Sequence, residues 1–162
     1  MDEAILKKSL VELIRRASCD LPPGVTRAIR RAARGERKGS TAENILRTIC
    51  DNIALARDKS QPICQDTGTL IFYVRMPAGC DTRVFRRIAD RAVARATGLG
   101  WLRQNSVDPL SGAVSKNNLA PGTPVYHFQP WGRKTIEVRL ILKGGGCENV
   151  GTQYSLPDDS LG

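Results

Sequence analysis

Residues 69–75, TLIFYVR, decide the fold class of this chain, because they form its first segment rich in β-branched and aromatic residues. Helical periodicity surrounds this segment, and two further strand-like segments follow at residues 125–129 and 134–142. The turn PWGR at residues 130–133 joins the two and predicts a hairpin. Helices segregated from a small, mainly antiparallel sheet predict an α+β domain, with the N-terminal helices packed on the sheet.

Four helices are predicted from apolar periodicity and from residues typical of helix ends. The first should cover residues 2–17, the second 22–34 and the third 41–58. A fourth should begin after the capping residue Asp81 and end at Gly98.

The third helix has the clearest start signal. Ser40 and Glu43 fit a capping box, in which the hydroxyl accepts from first-turn amides and the carboxylate reaches back. Its apolar face is expected to consist of Ile45, Ile49, Ile53 and Ala56. The carboxyl end of this helix should point at the polar segment before the first strand.

Length and composition are those of one globular domain. We expect the 162 residues to form a single unit, residues 1–162. The start MDEAILKKSL lacks the pattern of a signal peptide, and no run of about 18 apolar residues could span a membrane. These features predict a cytoplasmic protein with no membrane partner.

The cysteines lie at wide and unequal intervals, and there are five: Cys19, Cys50, Cys64, Cys80 and Cys147. An odd set with this spacing fits neither a secreted disulfide framework nor a zinc ribbon with paired cysteines. Reduced thiols are therefore expected.

The formal net charge of +9 is compatible with nucleic acid, an acidic partner or anionic small substrates. Most of the excess lies in helical patterns with acids interspersed, which favours solvated helix faces. Aromatic residues make up only 5% of the chain, and no alternation of aromatic and basic residues indicates a platform for single strands. Nucleic-acid binding remains an alternative that rests on charge alone.

Three polar loops adjoin the ends of predicted elements, at residues 61–68, 103–112 and 143–153. In the last, the run KGGG could turn successive backbone amides toward an anion, although such a run is also a common tight turn. In the second, Arg103 could hold a carboxylate bidentately, or could simply be solvated.

Cys64 has three possible roles from the residues alone. It could be a buried structural thiol. It could form a nucleophile and base pair with His127, or its thiolate could bind a metal or an iron-sulfur cluster. The sequence has no paired-cysteine motif that would supply a cluster's further thiolates, so these alternatives stay open.

Three segments, PICQDTG, LRQNSVDPLSG and KGGGCENVGTQYSLPDDSLG, in this order and at these separations, resemble the class I fumarases and the related two-subunit tartrate dehydratases. These families are iron-sulfur hydro-lyases. The helical beginning and the DLPPGV junction also look like the family's alpha subunit or N-terminal region, so the resemblance covers the whole chain.

The resemblance implies a role for five residues. Cys64 corresponds to one of three thiolates that hold a [4Fe-4S] cluster, whose open iron acts on the leaving hydroxyl. Gln65, Asp66 and Arg103 match substrate-binding residues, and Gly146 would give a backbone amide to the same anion. The other four cysteines do not match cluster positions of the family.

The resemblance also implies groups that this sequence lacks, namely the two further cluster cysteines and the catalytic base. We therefore expect a fragment or separately made domain, inactive alone, that works with a C-terminal domain or beta subunit in a homo-oligomer or heterotetramer. The substrate would be a small dicarboxylate such as fumarate, malate or tartrate. The alternative is a non-catalytic binding or interaction domain of the same fold.

Overall fold

The structure is a computed structural model that describes residues 2–144 apart from residues 65, 105 and 109. The described part contains helices α1 Glu3–Cys19, α2 Pro23–Gly35, α3 Thr41–Lys59 and α4 Thr82–Gly98, and strands β1 Thr69–Pro77, β2 Val125–Trp131 and β3 Glu137–Lys143. The expected α+β class is confirmed. No helix in this part of the chain is both long and apolar enough to cross a membrane.

Side-chain caps begin α3 and α4 where the sequence predicts them. The Ser40 hydroxyl accepts a hydrogen bond from the Glu43 amide at 3.1 Å, and the Glu43 carboxylate accepts from the Gly39 amide at 2.6 Å. The capping box at α3 is thus confirmed, with its return bond one residue earlier than the usual motif. Asp81 accepts from the Arg83 amide at 2.8 Å and starts α4 as predicted.

The sheet is mixed and has β1 at its centre, in the order β2-β1-β3. Strand β1 pairs with β2 in parallel and with β3 antiparallel. The predicted hairpin between the second and third strands is therefore wrong, because β1 lies between them. Pro130 within β2 has no amide hydrogen to donate, which suits an edge strand. The turn residues at the end of β2 reverse the chain direction, but the two strands on either side of them do not pair with each other.

The core lies between one face of the sheet and the helices α1 and α4. From β1, Leu70, Phe72 and Val74 are fully buried, and Phe85 of α4 packs edge-on against Phe128 of β2 with ring centroids 5.7 Å apart. Small residues of α4, such as Ala92, are fully buried in this core, and the backbone of α4 packs closely on α1. This packing fixes where β1 begins and α4 ends, which are the two places where the candidate site lies.

Helices α2 and α3 pack mainly on each other and only lightly on α1. On α3, Ile53 and Ala56 are buried as expected, but Ile45 is 56% exposed and Ile49 is 39% exposed. The predicted apolar face is thus correct for the second half of α3 and wrong for the first half, where the described residues leave Ile45 and Ile49 exposed.

Candidate functional site

The loop that carries Cys64 is anchored at its start to two helices. The Gln61 amide donates to the Ala56 carbonyl at 2.9 Å, and the Ile63 amide donates to the Ser18 carbonyl at 2.9 Å. The Asn52 side chain donates to the Ile63 carbonyl at 3.3 Å. As predicted, α3 therefore ends at this loop. Cys64, the residue after Ile63, has a free and exposed thiol.

Thr67 links this loop to the segment that follows α4. Its side chain is 4% exposed, and its hydroxyl accepts a hydrogen bond from the Arg103 amide at 2.7 Å. The Arg103 amide thus contacts Thr67, which lies three residues after Cys64 in the first loop. Arg103 itself is exposed. Two of the three predicted polar loops are in direct contact.

The third loop begins against the same segment. Gly68 has a φ of +67°, and a β-carbon added to it would overlap the carbonyl of Lys143. A β-carbon on Gly144 would lie 2.9 Å from an Asp66 carboxylate oxygen, and Asp66 also accepts from the Gly68 amide at 2.8 Å. The end of β3 therefore meets residues 66–68 with no room for a side chain on Gly68.

Asn118 is a buried residue that the sequence did not indicate as part of the site. It is 0% exposed, and its amide group donates to the Arg103 carbonyl at 2.9 Å and to the Thr97 hydroxyl at 3.1 Å. Its side-chain oxygen accepts from the Ser106 amide at 3.3 Å and from the Ser106 hydroxyl at 3.2 Å. Thr67 thus binds the amide of Arg103 and Asn118 binds its carbonyl.

Asp108 shapes the far end of the second loop. Its carboxylate accepts from the Ser111 amide at 2.7 Å, from the Ser111 hydroxyl at 2.9 Å and from the Leu110 amide at 3.0 Å. These hydrogen bonds, led by that of the Ser111 amide, lower the pKa of Asp108 below its usual value. Its bonds are local, and we interpret it as a turn residue rather than a substrate ligand.

The five predicted site residues fall into two groups. Cys64, Asp66 and Arg103 lie on the loops that meet at residues 66–68. Gln65 and Gly146 lie outside the described residues. Within the described ranges, no three His, Cys, Asp or Glu side chains come together as a metal-binding group. The chemistry available here is one exposed thiol, one carboxylate and one guanidinium.

The alternative in which His127 activates Cys64 gains no support from the fold. His127 pairs in register with Tyr73, and their rings stack with centroids 4.8 Å apart on the open face of the sheet. Tyr73 lies four residues along β1 from Thr69, which is about 13 Å at 3.3 Å per residue. His127 is thus a sheet-face residue, far along the strand from the loop that carries Cys64.

The fold is an α+β domain in which residues 66–68, the Arg103 backbone and the end of β3 lie in contact, close in sequence to the free thiol of Cys64. The sequence profile described as "Fumarate hydratase (Fumerase)" matches residues 7–161. The chain belongs to the fumarate hydratase (Fumerase) family. The family resemblance of the three sequence segments is therefore confirmed.

Individual relatives agree with the family. The chain is 45% identical over 152 residues to a Geobacillus stearothermophilus protein described as "Putative fumarate hydratase class I", covering 94% of this chain and 30% of that protein. It is 30% identical over 158 residues to a Methanocaldococcus jannaschii protein described as "Putative L(+)-tartrate dehydratase subunit alpha", covering 94% and 55%. An Escherichia coli L(+)-tartrate dehydratase subunit alpha is 31% identical over 111 residues, covering 67% and 36%. The chain thus spans between 30% and 55% of the length of these relatives.

Proposed function

We propose that this chain forms one part of a [4Fe-4S]-dependent hydro-lyase that reversibly adds water to, or removes it from, a small dicarboxylate. The observation that carries the proposal is the hydrogen bond between the Thr67 hydroxyl and the Arg103 amide, because it joins the cysteine loop to the arginine loop. Membership of the fumarate hydratase family supports the reaction type, and the relatives' names support fumarate, malate or tartrate as the kind of substrate.

The chemistry of the donor set fits one ligand position of a cluster. Cys64 is free and exposed. The residue before it, Ile63, is held by hydrogen bonds to Ser18 and Asn52, so the sulfur of Cys64 can reach an iron without rearrangement of the helices. A thiolate is the ligand that iron-sulfur clusters require, and the bound cluster supplies a Lewis acid for the hydroxyl that leaves as water. The described residues offer no second and third thiolate beside Cys64, so we propose that another domain or subunit supplies them.

Arg103 is suited to hold a substrate carboxylate. Its guanidinium is exposed and has no ion pair among the described residues, in contrast to several other arginines of the chain. Its backbone is fixed at both the amide and the carbonyl, which limits the positions of the side chain. A planar guanidinium can bind a carboxylate through two parallel hydrogen bonds. We propose that Asp66, Gln65 and the Gly146 amide complete this part of the substrate cage.

The remaining parts of the proposed enzyme are a C-terminal domain or a beta subunit, in a homo-oligomer or heterotetramer. The alpha-subunit names of two relatives support such a partner. The free state of the four described cysteines supports a reducing location such as the cytoplasm. On this proposal the 162 residues alone bind no intact cluster and catalyse no turnover.

The proposal is tested by Cys64→Ser in the complete enzyme, purified without oxygen. We expect loss of the iron-sulfur absorbance together with loss of fumarate, malate or tartrate turnover. Cys50→Ser and Cys80→Ser are matched controls, because both thiols are free and only partly buried, and they should retain cluster and activity. A full cluster in Cys64→Ser would overturn the cofactor assignment, and a wild-type enzyme without hydro-lyase activity on any of the three would overturn the function.

A further inference from the structure

Helix α2 presents four arginines, Arg27, Arg30, Arg31 and Arg34, which together line a shallow cavity of about 260 Å³. None of the four forms an ion pair with any of the described residues. The other three helices differ: each has at least one arginine in an ion pair, such as Arg16 with Glu12, Arg47 with Glu43 and Arg83 with Asp81. The expectation of interspersed acids therefore fails for α2, which contains no acidic residue.

The arrangement is unfavourable in the absence of an anion. Arginines at positions i, i+3, i+4 and i+7 lie on one face of a helix, and like charges at this spacing repel each other. The acids nearest to them do not resolve this repulsion. Glu43 is held by Arg47 and the Gly39 amide, and both Glu43 and Glu36 lie in a neighbouring groove that only Arg30 and Arg34 share. The four arginines thus line one small cavity, and none of them is neutralised by an ion pair among the described residues.

The dimensions indicate a compact, highly charged ligand. Seven residues of helix extend about 10 Å, which is a short distance over which to place four positive charges. The cavity is smaller than the roughly 300 Å³ at which sites for drug-sized molecules begin. Residues 23–59, which form α2, α3 and their connection, include no aromatic residue on which a nucleic-acid base could stack.

We propose that the arginine face of α2, formed by these four residues, binds a compact polyphosphate anion. Guanidinium forks match the oxygen geometry of phosphate, and several phosphate groups in one small molecule would neutralise several arginines at once. The site lies on the α2–α3 pair and uses none of the residues proposed to bind the cluster or the dicarboxylate. It is therefore a second site, independent of the hydro-lyase proposal.

The test is titration calorimetry of sodium tripolyphosphate into the full 162-residue chain at moderate salt. We expect saturable binding of one anion per chain. In Arg27→Gln/Arg31→Gln the affinity should fall about tenfold or more, because two of the four guanidinium contacts to phosphate are lost. Glutamine keeps helix propensity, so the melting temperature without ligand should be unchanged or higher.

The matched control is Arg91→Gln/Arg95→Gln on α4. These two arginines are also exposed, four residues apart and without an ion pair among the described residues, so the control changes the net charge equally. It should leave the affinity for tripolyphosphate nearly unchanged. Equal weakening in both variants would show a mere net-charge effect and overturn the proposal. No saturable binding by the wild-type chain would overturn it too, and tighter binding of a DNA duplex than of tripolyphosphate would replace it with a nucleic-acid surface.

Discussion

The hydroxyl of Thr67 and the backbone amide of Arg103, 36 positions apart in the chain, are 2.7 Å apart in the fold. Thr67 precedes β1 and Arg103 follows α4, so the bond connects the start of β1 to the segment that follows α4. Because Thr67 is buried and the bond itself is partly buried, loss of the hydroxyl would leave the Arg103 amide without this acceptor in a partly desolvated place.

Thr67→Val should therefore destabilise the chain by about 1–3 kcal/mol, since it removes the acceptor while it preserves the shape of the side chain. The measurement is urea unfolding followed by circular dichroism. Thr67→Ser keeps the hydroxyl and should cost clearly less than the valine variant. A valine variant as stable as the wild type would show that the hydrogen bond contributes nothing to stability.

Gly68→Ala and Gly112→Ala form a pair that separates backbone conformation from close packing. Both glycines have a positive φ, +67° and +69°, so alanine is strained by about 1–2 kcal/mol at either position. Only at Gly68 would the new β-carbon collide with the Lys143 carbonyl, whereas nothing lies within 4 Å at Gly112.

Gly68→Ala should consequently lose about 1–3 kcal/mol more than Gly112→Ala, because the end of β3 has to move. Denaturant unfolding of the two variants side by side provides the comparison. Equal losses would mean that β3 yields freely at Lys143 and that the contact between the two loops is not a packing constraint.

Glu12→Gln should reveal a pH-dependent contribution to stability. Hydrogen bonds from Arg15 and then Arg16 lower the pKa of Glu12 from 4.5 to about 2. The carboxylate therefore contributes stability that is fully present above pH 4.5 and is lost as the pH falls from 4.5 toward 2. Its side chain is 44% exposed, so solvent screening keeps the contribution below about 1 kcal/mol.

The free energy of unfolding of wild type and Glu12→Gln, measured between pH 7 and pH 2.5, tests this prediction. The difference between the two proteins should be largest near pH 7 and should shrink below pH 4.5. A difference that stays constant across this range would show that Glu12 titrates normally.

Arg103→Lys tests the proposed carboxylate contact in the complete enzyme. Lysine keeps the charge but cannot make two parallel hydrogen bonds, so kcat/KM should fall by about tenfold or more, equivalent to about 1.4 kcal/mol of transition-state binding. Arg83→Lys, at an exposed arginine paired with Asp81, is the control and should leave kinetics unchanged. Unchanged kinetics in Arg103→Lys would remove Arg103 from the substrate site.

The helices could be predicted from the sequence because their signals are local. Capping residues such as Ser40 and Asp81 act within one turn, and apolar spacing is set by the helix itself. Exposure is different, since it depends on which other element covers a face. The apolar spacing at Ile45 and Ile49 is regular, yet both side chains remain exposed in the described part of the chain.

The sheet order and the hydrogen bonds of Asn118 could not be predicted, because both depend on contacts between distant parts of the chain. Neighbouring strands in sequence usually pair, but β1 has buried residues along its length and takes the centre, which leaves β2 and β3 at the edges. Asn118 has no periodic pattern around it, and only the fold shows that it is buried beneath Arg103. The bond between Thr67 and Arg103 joins two of the polar loops predicted from the sequence as candidate site segments.

The central position of β1 sets the order in which the protein can assemble during synthesis. Leu70 pairs with Leu142, so one edge of β1 stays unpaired until a strand about seventy residues later in the chain has been made. At about 5–20 residues per second, the ribosome needs roughly 4–14 seconds for this interval. Throughout it, a strand rich in β-branched and aromatic residues has at least one unpaired edge, which could pair with another chain until Lys143 has been made.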